Sequence, residues 1–277
     1  MKFYSLRQPV TITGKTMVGF SKSTVTFSPA EVQPNGFNPL ILREGTESTP
    51  ITLTGTTLKP RRMEFNRPDF ETKIKAVEHY APLRFLFPRI IISGQGRELP
   101  HFTCSFPIIE SLMRRASPLE VETPWFTTKE TCVYQYEKQR GGIDAFTVIE
   151  PGSEKKLVID VTVRFPRFGE MNRCFTFPDE KLLLQVLSVT PLGNPRWLEW
   201  PAKLLWAHGR ETYWPNGSDE EILEAIVLHR VHDILGALAL IESPIAGSFP
   251  SLNVYSQCSG HLADHHALCA IKTVPLC

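Results

Sequence analysis

The stretch SDEEILEAIVLHRVHDILGALALIE, residues 218–242, decides how the rest of the chain is arranged. Ser218 and Glu221 have the spacing of a capping box, and Asp219 and Glu220 suit the positive end of a helix dipole. We therefore predict a helix over residues 218–242. Apolar residues occupy more than one face of it, as is typical of a helix that is buried in the core.

Two polar residues interrupt the apolar stripe of this helix. Positions 222, 226, 229, 233, 236 and 240 share one face, and among them stand His229 and Asp233. A buried carboxylate without a partner is costly, so it needs either a shared cation or a hydrogen bond from the imidazole. The helix geometry leaves both solutions open. His232 lies beside Asp233 and could replace His229 as a metal ligand.

Strand and helix signals alternate over the remainder of the chain. Alternating β-branched runs predict strands at residues 10–13, 24–27, 50–55, 89–93, 157–163 and 251–255. Further helices are predicted at residues 76–86, 107–115, 181–187 and 261–270. Pro82 requires the first of these helices to begin near His79, with the proline in its first turn, or to be kinked. Strands followed by helices occur once in each half, which predicts an α+β protein of two domains, residues 1–119 and 120–277.

The bulk composition excludes several classes of function. Lys plus Arg number 30 and Asp plus Glu number 29, so no global basic field favours nucleic acid as a partner. No apolar run approaches the ~20 residues of a membrane span, and the first residues lack the pattern of a signal peptide. The six cysteines form no Cys-x-x-Cys pair, which favours reduced thiols and a cytoplasmic location.

Two further segments supply the residue types of a hydrolytic metal site. A catalytic zinc ion takes three nitrogen or oxygen ligands and keeps one open position, and His79, His229 and Asp233 would provide that set. Glu78, beside a ligand, could accept a proton from water. His261 follows a glycine that would let the backbone enter a crowded site, and it could donate a proton to a leaving amine.

The second segment also has competing interpretations. The polar run that follows His261 is typical of an exposed tail. His261 and His265 are four residues apart and could form a rival metal pair. The sequence leaves these alternatives open.

Nine short motifs follow one another along most of the chain. They are TG (13–14), SPA (28–30), VEH (77–79), ELP (98–100), IDVT (159–162), SVT (188–190), HRVHDILG (229–236), PIAGSF (244–249) and SGH (259–261). In their order and approximate spacing they resemble the zinc-dependent UDP-3-O-acyl-N-acetylglucosamine deacetylases of lipid A biosynthesis.

The resemblance implies a fold and a division of roles. Each half would be a β-α-α-β unit, and the helices of the two units would pack face to face between the sheets. Zn2+ would be held by His79, His229 and Asp233. Glu78 would act as general base, and His261 as general acid or as a cation beside the oxyanion.

Two more roles and the expected substrate come from the same resemblance. Thr190 stands where the family has a hydroxyl near the oxyanion. Arg230 replaces the lysine that follows the second ligand histidine, and would contact the substrate. The implied reaction is deacetylation of an N-acetylated sugar, most closely a UDP-3-O-acyl-N-acetylglucosamine-like nucleotide-sugar or acylated sugar, by a monomer.

Departures from the family keep other interpretations in view. Ala237 replaces an aspartate that supports the catalytic histidine in the family, and residues 101–104 and 206–210 replace further motifs. The chain could therefore be a non-catalytic relative that keeps the fold and serves as a binding or regulatory protein. A third possibility is that the histidines and Asp233 are ordinary buried polar pairs.

Overall fold

The computed structural model describes residues 2–16, 21–30, 40–59, 62–102, 105–120, 123–136, 145–188, 217–243 and 248–276. The strands are β1 (Phe3–Leu6), β2 (Val10–Lys15), β3 (Lys22–Pro29), β4 (Ile41–Glu44), β5 (Glu47–Pro50), β6 (Thr56–Lys59), β7 (Arg62–Phe65), β8 (Ile90–Gln95), β9 (Ala116–Leu119), β10 (Trp125–Thr128), β11 (Cys132–Tyr136), β12 (Ala145–Pro151), β13 (Leu157–Phe165), β14 (Gly169–Phe177), β15 (Phe249–Pro250), β16 (Leu252–Gln257) and β17 (Thr273–Pro275). The α-helices are α1 (Phe106–Met113), α2 (Glu180–Leu187), α3 (Asp219–Leu238) and α4 (His261–Ala270), and two short 3-10 helices, Val77–His79 and Ala81–Phe85, precede β8. The protein is mixed α+β, as the sequence predicted.

Within these residues, two five-stranded sheets share one topology. The first has the strand order β2-β3-β8-β4-β5 and the second β11-β12-β16-β13-β14. In the first sheet, β8 lies between the hairpins β2-β3 and β4-β5, antiparallel to β3 and parallel to β4. In the second sheet, β16 lies in the same way between the hairpins β11-β12 and β13-β14, antiparallel to β12 and parallel to β13. A parallel neighbour requires a crossover of the chain. The first crossover carries the two 3-10 helices and the second carries α2 and α3. Glu78 and His79 therefore lie in the crossover of the first half, and His229 and Asp233 lie in the matching crossover of the second half.

The long helix α3 confirms the predicted helix start. Ser218 is its N-cap, and the capping box with Glu221 is complete. The helix ends at Leu238, four residues before the predicted end. The chain leaves the helix there because residues from the first half of the chain bind the carbonyl groups that follow Leu238. Arg84 donates to the Ala239 carbonyl, and the amide of Leu53 donates to the Leu240 carbonyl.

The predicted helix over residues 76–86 is not an α-helix. The chain forms two consecutive 3-10 helices, Val77–His79 and Ala81–Phe85, with Pro82 in the first turn of the second. Proline has no N–H for an α-helical bond to the fourth residue before it, so tighter turns replace the α-helix. The placement of Pro82 in a first turn is confirmed. This geometry turns both Glu78 and His79 into the interior, where they are 2% and 4% exposed.

Most other predicted elements are confirmed within a few residues, with one exception. The predicted strand over residues 50–55 is wrong: β5 ends at Pro50 and a turn follows. The turn is favoured because Gly55 and Thr56 both bond back to carbonyls at Thr52 and Leu53. It brings the Leu53 amide to the end of α3.

Helix α3 lies at the centre of the molecule. It packs against β13 and β14 on one side and against both 3-10 helices on the other, and α2 and α4 also contact it. One continuous cluster of buried apolar side chains includes residues from both halves. In the part of the chain that is described, no helix has the length and apolar character needed to cross a membrane. The division at residues 119 and 120 stays a prediction, although β9 ends at Leu119 after pairing with β1.

Candidate metal centre

Helix α3 carries a compact group of potential metal ligands. His229, His232 and Asp233 each offer a ligand atom, and these atoms lie within 4.8 Å of one another. Their spacing of three and four residues places them on one side of the helix. His232 is fully buried and Asp233 is 7% exposed. Two of the three predicted ligands are therefore together, and His232 completes the group.

His79, the remaining predicted ligand, lies beside this group. Its ring centroid is 5.2 Å from that of His232 and 5.8 Å from that of His101. Burial, with the neighbouring His232 and His101 rings, lowers the pKa of His79 well below its ordinary value. The neutral ring is the form that binds a metal. The predicted triad of His79, His229 and Asp233 stays a prediction, because the group within 4.8 Å contains His232 instead.

A glycine on α3 allows the Glu78 segment to reach the helix. A Cβ atom placed on Gly236 would lie 2.9 Å from both the Cβ atom and the carbonyl oxygen of Glu78. Contacts this short do not occur between real side chains, so only glycine permits this approach. Gly236 is one turn beyond Asp233, and it therefore sets the distance between the two chain segments of the site.

Ser105 connects the two segments by hydrogen bonds. Its hydroxyl donates to the His79 carbonyl at 2.8 Å and lies 3.0 Å from Nε2 of His232. Ser105 is the N-cap of α1, yet it makes no side-chain bond to that helix. A serine cap bond contributes about 1 kcal/mol. The hydroxyl is used instead to hold the 3-10 helix against α3.

Glu78 is placed as a buried proton acceptor. The backbone amide of Met63 donates to Oε2 of Glu78 at 3.1 Å. Burial raises the pKa of the Glu78 carboxyl to about 7, against the opposing effect of His261. A carboxyl with a pKa near neutrality can both accept and return a proton. The sequence predicted the residue, and the structure places it among the other candidates.

Asp233 lies between two imidazoles. Its Oδ2 atom is 3.4 Å from Nε2 of His261 and 3.7 Å from Nε2 of His229. Burial works to raise the pKa of Asp233, but the attraction of these two rings dominates and lowers it. Burial lowers the pKa of His229 to about 4 despite the neighbouring carboxylate. The group therefore combines an ionised carboxylate with a neutral imidazole at pH 7.

His261 enters the site as the first residue of α4, with Gly260 as N-cap. The predicted reason for that glycine is wrong. A Cβ atom on Gly260 would meet nothing within 4 Å, and its φ of −143° is open to any residue. His265, the other member of the rival pair with His261, contacts Thr56 and Cys269, and that pair stays a prediction.

The two glycines therefore provide a matched pair of variants. The methyl group that Gly236→Ala adds collides with Glu78, at a cost of about 1–3 kcal/mol. The ~1 kcal/mol that alanine gains over glycine in a helix offsets part of this cost, so the net loss is expected to reach up to about 2 kcal/mol. Gly260→Ala causes no collision and is expected to cost at most about 1 kcal/mol, because alanine is a poorer N-cap than glycine. Urea unfolding of both variants measures the difference, and equal stabilities would contradict the close approach.

Arg230 is held in a buried ion pair rather than directed toward solvent. Its guanidinium pairs with the carboxylate of Asp264 on α4, and its Nη2 atom donates to Ser259 at 2.8 Å. Thr147 also donates to Asp264 at 2.9 Å, and Ser256 accepts from Arg230. This network joins α3 to the start of α4. Contact between Arg230 and a substrate stays a prediction.

Several predicted features fall outside the described residues. Thr190 and the segment 206–210 belong to the stretch 189–216, and most of the 244–249 motif is also outside. The structure adds residues that the sequence reasoning did not assign to the site, namely Ser105, His101 and Asp264. The spacing of three residues between His229 and His232 indicates that both side chains lie on the same side of a helix. That spacing could have identified His232 as the third residue of the ligand group.

In His79 and the ligand group on α3, four buried polar atoms have no hydrogen-bond partner among the described residues. They are Nδ1 of His79, Nδ1 of His229, Nδ1 of His232 and Oδ1 of Asp233. Buried polar atoms without partners are rare and costly. Imidazole nitrogens with one carboxylate oxygen are the donors that zinc takes in catalytic sites. The residues therefore fit a zinc ion or a chemically similar divalent metal.

Comparison with known proteins adds no family. No protein-family model matches the chain, and no curated protein matches it significantly. The interpretation of the site therefore depends on its own geometry and chemistry.

Proposed function

We propose that the protein is a zinc-dependent N-deacetylase that hydrolyses the acetamide of an N-acetylated sugar, most closely a UDP-3-O-acyl-N-acetylglucosamine-like substrate. One observation carries the proposal. Glu78 and His261 belong to opposite halves of the chain, yet both lie near the ligand group on α3, where Gly236 contacts Glu78 and Asp233 lies 3.4 Å from His261. A metal-dependent amide hydrolase needs proton-transfer groups beside its metal site.

The ion would be held by His229 and Asp233 together with His79 or His232. When bound, zinc polarises a carbonyl group and lowers the pKa of water toward ~7. The donor set of imidazoles and a carboxylate fits this metal. Neutral imidazoles at His79 and His229 are ready to bind, because burial lowers the pKa of both rings.

The side chains of the protein supply the proton transfers. Glu78 accepts a proton from the water whose oxygen attacks the amide carbon. The Met63 amide holds Oε2 of the same carboxyl, which fixes its orientation. His261 delivers a proton to the departing nitrogen as the C–N bond breaks, and Asp233 orients its ring. The products are acetate and a free amine on the sugar.

The proposal includes the finer architecture. Residues 1–119 and 120–277 would form two β-α-α-β units whose helices pack face to face. The shared topology of the two five-stranded sheets and the central position of α3 support this division. We also propose a monomer in the cytoplasm. The four cysteines within the described residues, Cys132, Cys174, Cys258 and Cys269, are free thiols, which is consistent with that location.

The test is release of acetate from defined sugars. Zinc-loaded protein is incubated with UDP-3-O-acyl-N-acetylglucosamine, UDP-N-acetylglucosamine and N-acetylglucosamine, and free acetate and amine are quantified. His229→Ala is expected to lower the rate at least ~100-fold, because it removes a shared metal ligand. His266→Ala is the control on α4, where the exposed ring stacks on Tyr134 away from the site. No turnover of any of these sugars by zinc-loaded wild-type protein would contradict the proposal.

A second candidate is a non-catalytic binding or regulatory protein with the same fold. It is favoured by Ala237, which is 2% exposed and offers no carboxylate to support His261. In that case the sugar would bind without turnover. Isothermal titration with the same three sugars separates the two candidates, since binding without acetate release would support this second one.

A further inference from the structure

The fully buried imidazole of His232 is the feature that the proposed site does not yet explain. It stands between His229 and Asp233 on α3 and is 0% exposed. Burial of an imidazole costs free energy unless each of its two nitrogen atoms makes a hydrogen bond or binds a ligand. The hydrogen bonds of Ser105 show what one of these nitrogens does.

The hydrogen bonds of Ser105 favour one tautomer of the His232 ring. A serine hydroxyl has one hydrogen to donate, and the carbonyl oxygen of His79, 2.8 Å away, can only accept it. With that hydrogen on the His79 carbonyl, the 3.0 Å contact with His232 is a bond that Nε2–H of the ring donates to the hydroxyl oxygen. A neutral imidazole with its hydrogen on Nε2 has a lone pair on Nδ1.

That lone pair points into the ligand group. Nδ1 of His232 lies 3.9 Å from Oδ1 of Asp233, and both atoms are buried without a hydrogen-bond partner among the described residues. The distance is too long for a hydrogen bond between them. Two acceptors that face each other without a donor would repel, whereas a cation between them would satisfy both.

We infer that His232 is a metal ligand through Nδ1, with His229 and Asp233 as the other ligands and Ser105 as the residue that fixes the ring. Helix α3 then supplies a complete three-ligand set by itself. This inference deepens the proposed function, on which it rests, because it changes which side chains hold the metal. His79 is left as a neighbour that can occupy a further coordination position or contact the substrate.

The donor chemistry defines the class of ion. Two imidazoles and one carboxylate suit zinc or cobalt, whereas calcium and magnesium prefer oxygen donors. A ligand that uses Nδ1 and donates from Nε2–H to a neighbouring oxygen has the outer hydrogen bond that metal-bound histidines usually make. The Ser105 hydroxyl provides that oxygen, and it makes no capping hydrogen bond to α1.

Cobalt titration of the purified full chain tests the inference without any substrate. Wild-type protein is expected to bind one Co2+ per chain, followed by visible absorption. His232→Gln keeps an N–H group that reaches Ser105 but has no atom equivalent to Nδ1, so its cobalt affinity is expected to fall at least ~100-fold. Ser105→Ala keeps the His232 ring but removes the hydrogen bond that orients it. The cobalt affinity of this variant is expected to fall ~10- to 100-fold. His266→Gln is the control and should bind as wild type does.

A second measurement protects the test against misfolding of a variant. Nitrogen NMR of imidazoles in the metal-free wild-type protein should show His232 with its hydrogen on Nε2, and zinc should shift its Nδ1 signal. An unchanged Nδ1 signal, or cobalt binding by His232→Gln equal to wild type with loss in His79→Ala, would overturn the inference but leave a metal enzyme in place. A wild-type chain that binds neither ion would instead overturn the proposed function itself.

Discussion

Glu78→Gln is expected to lower the turnover number for an N-acetyl sugar by about 10²–10⁴-fold, the usual contribution of a general base. Glutamine has the same shape and can still accept the Met63 amide, but it cannot take a proton. Burial raises the pKa of the Glu78 carboxyl to about 7, so the neutral variant removes a buried charge and should unfold at the same temperature or higher. Loss of activity without loss of stability distinguishes a catalytic group from a structural one.

The measurement compares initial rates of acetate release with thermal unfolding of the same samples. Glu64→Gln is the matched control, because Glu64 follows Met63 on β7 and pairs with Arg62. Its rate should stay within about twofold of wild type. A Glu78→Gln enzyme that keeps more than a tenth of the wild-type rate would show that this carboxyl is not the base. Metal content is measured alongside, and it should not change.

Asp264→Ala is expected to cost about 3–5 kcal/mol of stability, because it leaves the Arg230 guanidinium buried without its counter-charge. The side chains of the pair are 7% and 2% exposed, so water cannot replace the missing carboxylate. For a chain of this size the loss corresponds to a fall of the melting temperature on the order of 10 °C. The ion pair also joins α3 to the start of α4, where His261 begins.

A double variant identifies the cause of this loss. Arg230→Met combined with Asp264→Leu removes both charges, and it should recover most of the stability lost by either single change. The ion pair would then hold the start of α4 against α3 without adding net stability. Strict additivity of the calorimetric losses of Arg230→Met and Asp264→Leu in the double variant would contradict the coupling. Asp264→Ala with wild-type stability would show that the ion pair does not form.

The sequence was sufficient for much of the fold, for local reasons. The capping box at Ser218 and Glu221 marks the start of α3, and α4 was predicted with its observed bounds. The end of α3 could not be read locally, because the Leu53 amide from the other half stops the helix. The region around Pro82 had the apolar pattern of a helix, but a missing N–H changed its type.

The candidate site was predictable only in part. His229 and Asp233 are visible from their spacing within an apolar stripe. The choice between His79 and His232 depends on side-chain directions across two crossovers, which no local pattern contains. Ser105 was hidden for a different reason: at the start of a helix a serine predicts a cap, and only the fold shows that its hydroxyl bonds to His79 and His232. Gly236 was found as a motif residue, while its physical reason is the contact with Glu78.

Anomalous diffraction at the zinc edge from crystals grown with zinc tests the metal centre most directly. The account predicts one strong peak bounded by Nδ1 of His232, His229 and Asp233, with the carboxyl of Glu78 nearby. A peak elsewhere, such as beside His265 and Cys269, or no peak in zinc-saturated crystals, would contradict it.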